Sequence, residues 1–236
     1  MQKLLTDIVD KLRKAHGDRL VSVMLYGSAA GDDGKDQFSD LNILCVLKQV
    51  TPQELAESEP VFRWWREKEN PAPLLLSEHE VVTSTDCFPI EFHDIKERHR
   101  VLYGPDVVAN LAIDYSFYRA RVEYELRAKL LRLRQKAAGV LSEKDVLLRL
   151  MADSISTFCV LFRHALLLAG EDAKFDKRMV VASARDKFGI EEGPFLTLLD
   201  LREDKAKARD LQPAPLFREY LKQIQAMVDA VDQMKK

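Results

Sequence analysis

The chain has 236 residues, 47% of them apolar and 31% charged, with a formal net charge of −2. These proportions exclude disorder and suit a globular protein long enough for two modest domains. The near-neutral balance gives no strong signal for nucleic acid, and no run reaches the about eighteen apolar residues of a membrane span.

The chain opens with Leu4, Leu5, Ile8, Val9 and Leu12 at helical spacing, with charges between them. That pattern predicts an amphipathic helix rather than a secretory signal. Leu20 to Tyr26 reads as a buried strand that stops at Gly27, and Leu41 to Leu47 as a second. Thr51 then caps a helix that has Pro52 at its first position and Glu54 closing a capping box. This helix runs to about Glu69 and stops at Asn70-Pro71. Leu74 to Leu76 reads as a short strand, and Ser77-Glu78-His79-Glu80 as another helix start. Phe88 to Ile95 reads as a third strand, with Ile90, Phe92 and Ile95 on one side and Glu91 and His93 on the other. Val101 to Pro105 closes the region with the breaker pair Gly104-Pro105.

Beyond Asp106 helical periodicity dominates. It runs from Tyr115 to Gly139, Ser142 to Gly170 and Asp176 to Phe188, then from Pro194, and from Pro215 onward. Glycine and proline fall between these segments, as in a bundle with short turns. The expected class is α+β, a mixed sheet with flanking helices in residues 1–108 followed by an all-helical bundle in 109–236. The three cysteines, Cys45, Cys87 and Cys159, are widely spaced and odd in number. They read as buried thiols in a reducing cytoplasm.

Chemistry concentrates around Gly27. A Gly-Ser turn after a strand can present backbone amides to a phosphate, although the same dipeptide is often a plain turn. Ala29 and Asp36 exclude a Walker A loop, and Ala29 also breaks the dinucleotide fingerprint. Strand alternation places Asp40 and Asn42 on one face, and Glu91 on the third strand would suit the same face. Such oxygen donors could hold a hard cation of the Mg²⁺ type. Equally, Asp40 could cap a turn while Glu91 simply meets solvent. His93 reads as a hydrogen-bond partner, with phosphate contact as the alternative, and Trp64-Trp65 as packing. The seven basic residues from Arg119 to Lys136 read as a solvated stripe, from which Arg119, Arg121 or Arg127 could reach a triphosphate.

The pattern Gly27-Ser28, eleven residues, then Asp40-x-Asn42 between apolar strands resembles the nucleotidyltransferase superfamily that includes DNA polymerase beta. The small bacterial members of the kanamycin nucleotidyltransferase kind, with a C-terminal helical bundle, are similar in architecture. The motifs fall within residues 18–104, and the second half is similar in architecture alone. The resemblance implies that Gly27 and Ser28 bind the nucleotide. It implies a metal site of Asp40, Asn42 and Glu91 for Mg²⁺ or Mn²⁺, with Asp40 and Glu91 catalytic. The implied reaction moves a nucleotidyl group from a nucleoside triphosphate such as ATP to a hydroxyl on an unknown acceptor, in the cytoplasm. The bundle would supply the other wall of the cleft and a homodimer contact. The departure is Asn42, which stands where the family has a second metal-binding aspartate. At about 4 Å and an effective dielectric near 20, one unit-charge pair is worth about 4 kcal/mol before desolvation. An amide there also fits a rival class, a nucleotide-binding or partner-binding pseudoenzyme.

Overall fold

The computed structural model describes residues 1–31 and 41–234. The chain divides into two compact units, Met1–Ser116 and Phe117–Lys236. In the first, helix α1 (Gln2–His16) leads to strand β1 (Leu20–Tyr26), and β2 (Asn42–Leu47) precedes helix α2 (Pro52–Arg66). Then come β3 (Leu74–Ser77), α3 (Glu78–Thr83), α4 (Pro89–Glu97) and β4 (His99–Tyr103). The strands lie in the order β3-β2-β1-β4, and the sheet is mixed. β1 pairs antiparallel with both β2 and β4, whereas β2 and β3 run parallel.

Alternation sorts the side chains of the two central strands onto opposite faces. Val23, Leu25, Ile43, Cys45 and Leu47 pack with Leu5, Ile8 and Leu12 of α1 and Val61 and Trp65 of α2. Met24, Leu44 and Val46 pack instead with Val81 of α3, Phe92 and Ile95 of α4 and Val108. Both capping boxes form. Thr51 and Glu54 start α2, and Ser77 and Glu80 start α3.

The segment Phe88 to Ile95 is not a strand. It forms α4, with Pro89 in the first turn and Phe88 at the N-cap. Proline costs nothing there, because the first N–H groups of a helix have no partner inside it. The run is too short for periodicity to separate helix from strand, and packing decides it, since Phe92 and Ile95 lie in one core cluster. The strand that follows, β4, begins at His99 and exposes Arg100 and Val101, the mixed polarity of a sheet edge. Cys45 and Cys159 are buried as expected, whereas Cys87 is exposed. Burial pushes the Cys45 and Cys159 thiols up to about 12.

The second unit has helices and no strand among its described residues. It comprises α5 (Tyr118–Ala138), α6 (Lys144–Leu168), α7 (Lys177–Phe188), α8 (Gly193–Arg202) and α9 (Pro213–Asp232). α6 packs against the other four. Val122, Leu126, Leu130, Leu133 and Ala137 give α5 its buried face at spacings of three and four. Phe162 and Phe195 meet edge-to-face at 5.3 Å, as do Phe195 and Tyr220. The Tyr220 hydroxyl, buried with its ring, pairs with the Ser154 hydroxyl at 2.9 Å.

Candidate functional site

β1 ends at Tyr26, and Gly27 turns the chain with φ 79° and ψ −155°. Side chains rarely adopt that positive φ, so glycine is required here for its backbone. The Gly27 amide donates to the Arg98 carbonyl at 3.1 Å, which ties the turn to the junction of α4 and β4. Its carbonyl accepts from the Ala30 amide at 3.0 Å, closing a short 3-10 turn over Ser28–Ala30. A methyl group on Gly27 would lie 3.3 Å from the side-chain nitrogen of Asn42. Gly27 and Asn42 are therefore brought together, with Ser28 beginning the turn beside them.

Asn42 opens β2 and pairs across the sheet with Tyr26, which also pairs with His99 of β4. Directly opposed residues share a face, so Asn42 and Tyr26 lie on the face covered by α4. Burial pushes the Tyr26 phenol above its ordinary value, and the negative charge of Glu91 pushes it further. Glu91, in the first turn of α4 and exposed, therefore acts on the same face as Asn42, from a helix rather than from a neighbouring strand.

Asp40 lies outside the described residues. Among the described residues no group of three or more His, Cys, Asp and Glu could hold a metal ion. Asn42 and Glu91 are the described members of the expected donor set, and their oxygen chemistry suits a hard cation.

Sequence reasoning did not single out Tyr26, His99 or Asp106. The His99 ring pairs with the Asp106 carboxylate at 2.9 Å through Nε2, and its Nδ1 lies 3.2 Å from the Lys96 carbonyl. Burial pushes the Asp106 carboxyl up, but hydrogen bonds from His99 and the Ala109 and Val108 amides outweigh it and hold it below the ordinary value. These groups sit where β4 meets the end of β1. Finding them required the β4 pairing, which the sequence does not advertise.

Other candidates resolve as structural. His93 bonds the Tyr115 hydroxyl through Nδ1 at 2.8 Å. Trp65 is fully buried, and Trp64 packs against the same core. On α5, Glu123 pairs with Arg119 at 2.9 Å and Arg127 at 2.7 Å, and Glu125 pairs with Arg121 at 2.9 Å. These i,i+4 pairs are half-buried, and Arg119 reaches the Val231 carbonyl at 3.2 Å and Arg127 the Asp232 carboxylate at 3.3 Å, so this face of α5 is partly packed on α9 and not simply solvated.

No protein-family model matches the chain, and no curated protein matches it. Among solved structures, the chain is similar to spectinomycin adenyltransferase AAD(9) from Enterococcus faecialis, determined with ATP and spectinomycin. The match has a TM-score of 0.65 at 15% sequence identity, and it covers 99% of this chain and 100% of that one. The chain therefore shares the fold of that adenyltransferase, helical region included.

Proposed function

We propose that the chain transfers a nucleotidyl group, with ATP as donor, to a hydroxyl of a small molecule. The observation that carries this proposal is the Gly27 turn at the end of β1 with Asn42 against it. It stands in a fold shared end to end with an adenyltransferase whose structure holds ATP and a small-molecule acceptor.

In this reaction the acceptor oxygen attacks the α-phosphorus of ATP, and a new O–P bond forms. The bond from that phosphorus to the β-phosphate oxygen breaks, and pyrophosphate leaves. Gly27 lets the phosphates approach the turn closely, and Ser28 meets them with its small polar side chain. Glu91 takes the proton of the acceptor hydroxyl, a role that needs an accessible carboxylate within hydrogen-bond reach. Its exposure and its influence on Tyr26 support this assignment. Asp40, Asn42 and Glu91 would hold Mg²⁺ or Mn²⁺, which neutralises phosphate charge when bound.

The test is a product screen in which the protein meets each nucleoside triphosphate, pooled hydroxyl acceptors and Mg²⁺ or Mn²⁺. Release of pyrophosphate together with a nucleotidylated acceptor is expected. One specific observation favours a second reading, a nucleotide-binding protein without transfer. Asn42 brings an amide where a carboxylate would strengthen metal binding. ATP binding that is the same with and without Mg²⁺, with no product from any acceptor, would establish that second reading.

A further inference from the structure

We infer that the guanidinium group of Arg98 is a phosphate ligand of the Gly27 turn. The inference rests on the proposed reading of that turn as a nucleotide site, and it deepens it by assigning the cation that meets the polyphosphate.

Arg98 grips the turn at both ends. Its carbonyl accepts from the Gly27 amide at 3.1 Å, which fixes where the turn begins. Its side chain covers the place where the turn ends. A Cβ built on Gly31 would meet the Arg98 Nη2 at 1.7 Å, Nε at 2.0 Å and Cζ at 2.1 Å. The planar group therefore lies directly on Gly31, in space that any other side chain would fill. Gly31 has φ −90° and ψ 164°, extended backbone open to every residue. The missing side chain at 31, and not its backbone angles, leaves room for this close approach, and a methyl group there would push the flexible end of Arg98 aside.

The charge sits where a phosphate-binding turn requires it. Ser28–Ala30 make one 3-10 turn, too short for a helix dipole to concentrate positive charge at its start. Asn42, against Gly27, brings no charge of either sign. A guanidinium at the end of the same turn presents a planar fork of donors that matches phosphate oxygens. Arg98 is half-buried, and a half-buried cation binds an anion more strongly than a fully solvated one. Its position also explains the sequence around it. Arg98 is the C-cap of α4, where helix carbonyls favour a cation, and β4 starts at the next residue. The residue thus stands between a helix end and the sheet.

The test is calorimetric titration of ATP, ADP, AMP and inorganic pyrophosphate into the wild type, Arg98→Gln, Arg98→Lys and Gly31→Ala. Loss of a charge-assisted contact should weaken ATP and ADP binding to Arg98→Gln by about 10- to 100-fold. AMP affinity should change little. Gly31→Ala should weaken ATP binding less than Arg98→Gln, because its methyl group only displaces the flexible end of Arg98, and Arg98→Lys should also fall between. Thermal melting of each variant shows whether it is folded. Unchanged ATP affinity in folded Arg98→Gln, or equal losses for ATP and AMP, would overturn the assignment and leave the nucleotide site standing. If the wild type binds no ATP, the functional proposal fails by itself and pyrophosphate decides the role of Arg98. Pyrophosphate bound by the wild type and lost in Arg98→Gln supports the assignment, and any other result overturns it.

Discussion

In Met1–Ser116 the polar groups that matter gather where strands end, whereas in Phe117–Lys236 they are spent on holding helices together. Asn42, Tyr26 and His99 line up across three strands, and Gly27 and Arg98 sit beside them. In the helical unit the Tyr118 hydroxyl bonds His164, Ser154 meets Tyr220, and Gln223 accepts from the Glu191 amide at 3.0 Å. On the proposed reading the first arrangement serves a ligand, while the second satisfies polar atoms already out of water. Substitutions at the strand ends should therefore change binding more than stability, and substitutions among the helices the reverse.

The largest effect expected is on the helical side. Phe195 is fully buried between Phe162 and Tyr220. Phe195→Ala should cost the unit about 3–5 kcal/mol through lost burial and the cavity it leaves. Urea denaturation followed by far-ultraviolet circular dichroism measures it. A loss below about 1 kcal/mol would mean that the helices close over the gap and that the aromatic cluster is not what holds them.

At the strand ends the expected order is inverted. Gly27→Val puts a branched side chain at positive φ and against the Asn42 amide. The backbone strain should be about 1–3 kcal/mol, while ATP affinity should fall by at least about 100-fold because the phosphate approach is blocked. Calorimetry beside a melting curve separates the two. A folded variant with unchanged affinity would remove the turn from the site.

The same contrast explains what could be read in advance. The long helices were legible because apolar residues recur every three or four positions, as Val122, Leu126, Leu130 and Leu133 do. Their tertiary contacts reinforce that pattern. β1 and Thr51 at the start of α2 were legible too, the strand from its apolar run and the cap from local chemistry. The segment around Glu91 misled because Ile90 and Phe92 alternate as on a strand face, although Ile95, three after Phe92, keeps helical spacing, and burial against one face of the sheet chose a helix. Arg98 and His99 could not be found at all. Their roles arise from a pairing with β1 some seventy positions away, and edge strands with exposed residues carry weak patterns.

Asn42 offers a smaller change that sharpens the strand-end side. Asn42→Asp adds a carboxylate beside the turn, and Mg²⁺-dependent ATP affinity should rise by about tenfold, or about 1.4 kcal/mol. Asp40→Asn should move it the other way. Equal Mg²⁺-dependent affinities in the three proteins would mean that these positions do not serve a metal.

The smallest expected effect tests whether the first unit also contains polar groups that serve only the fold. Glu54 has a fully covered side chain and closes the capping box of α2. Its carboxylate accepts from the Thr51 hydroxyl, from the Thr51 amide at 3.0 Å and from Arg19 at 2.7 Å. The Thr51 hydroxyl bond leads, and with the Arg19 and Thr51 amide bonds it outweighs burial. The carboxyl is held down to about 2 against an ordinary 4.5. A carboxyl depressed in the folded state takes up its proton first in the unfolded one. The stability it contributes is therefore complete above pH 4.5 and is lost as the pH falls towards 2. Glu54→Gln should be slightly less stable than the wild type at neutral pH, and the gap should close over that acid range. Urea midpoints of both proteins across the range measure it, and the difference between them cancels other carboxylates such as Glu80. A gap that stays constant with pH would assign the role of Glu54 to the shape of the cap and not to its charge. ATP affinity at neutral pH should be the same in both proteins, because α2 packs on the face of the sheet opposite Asn42 and Tyr26.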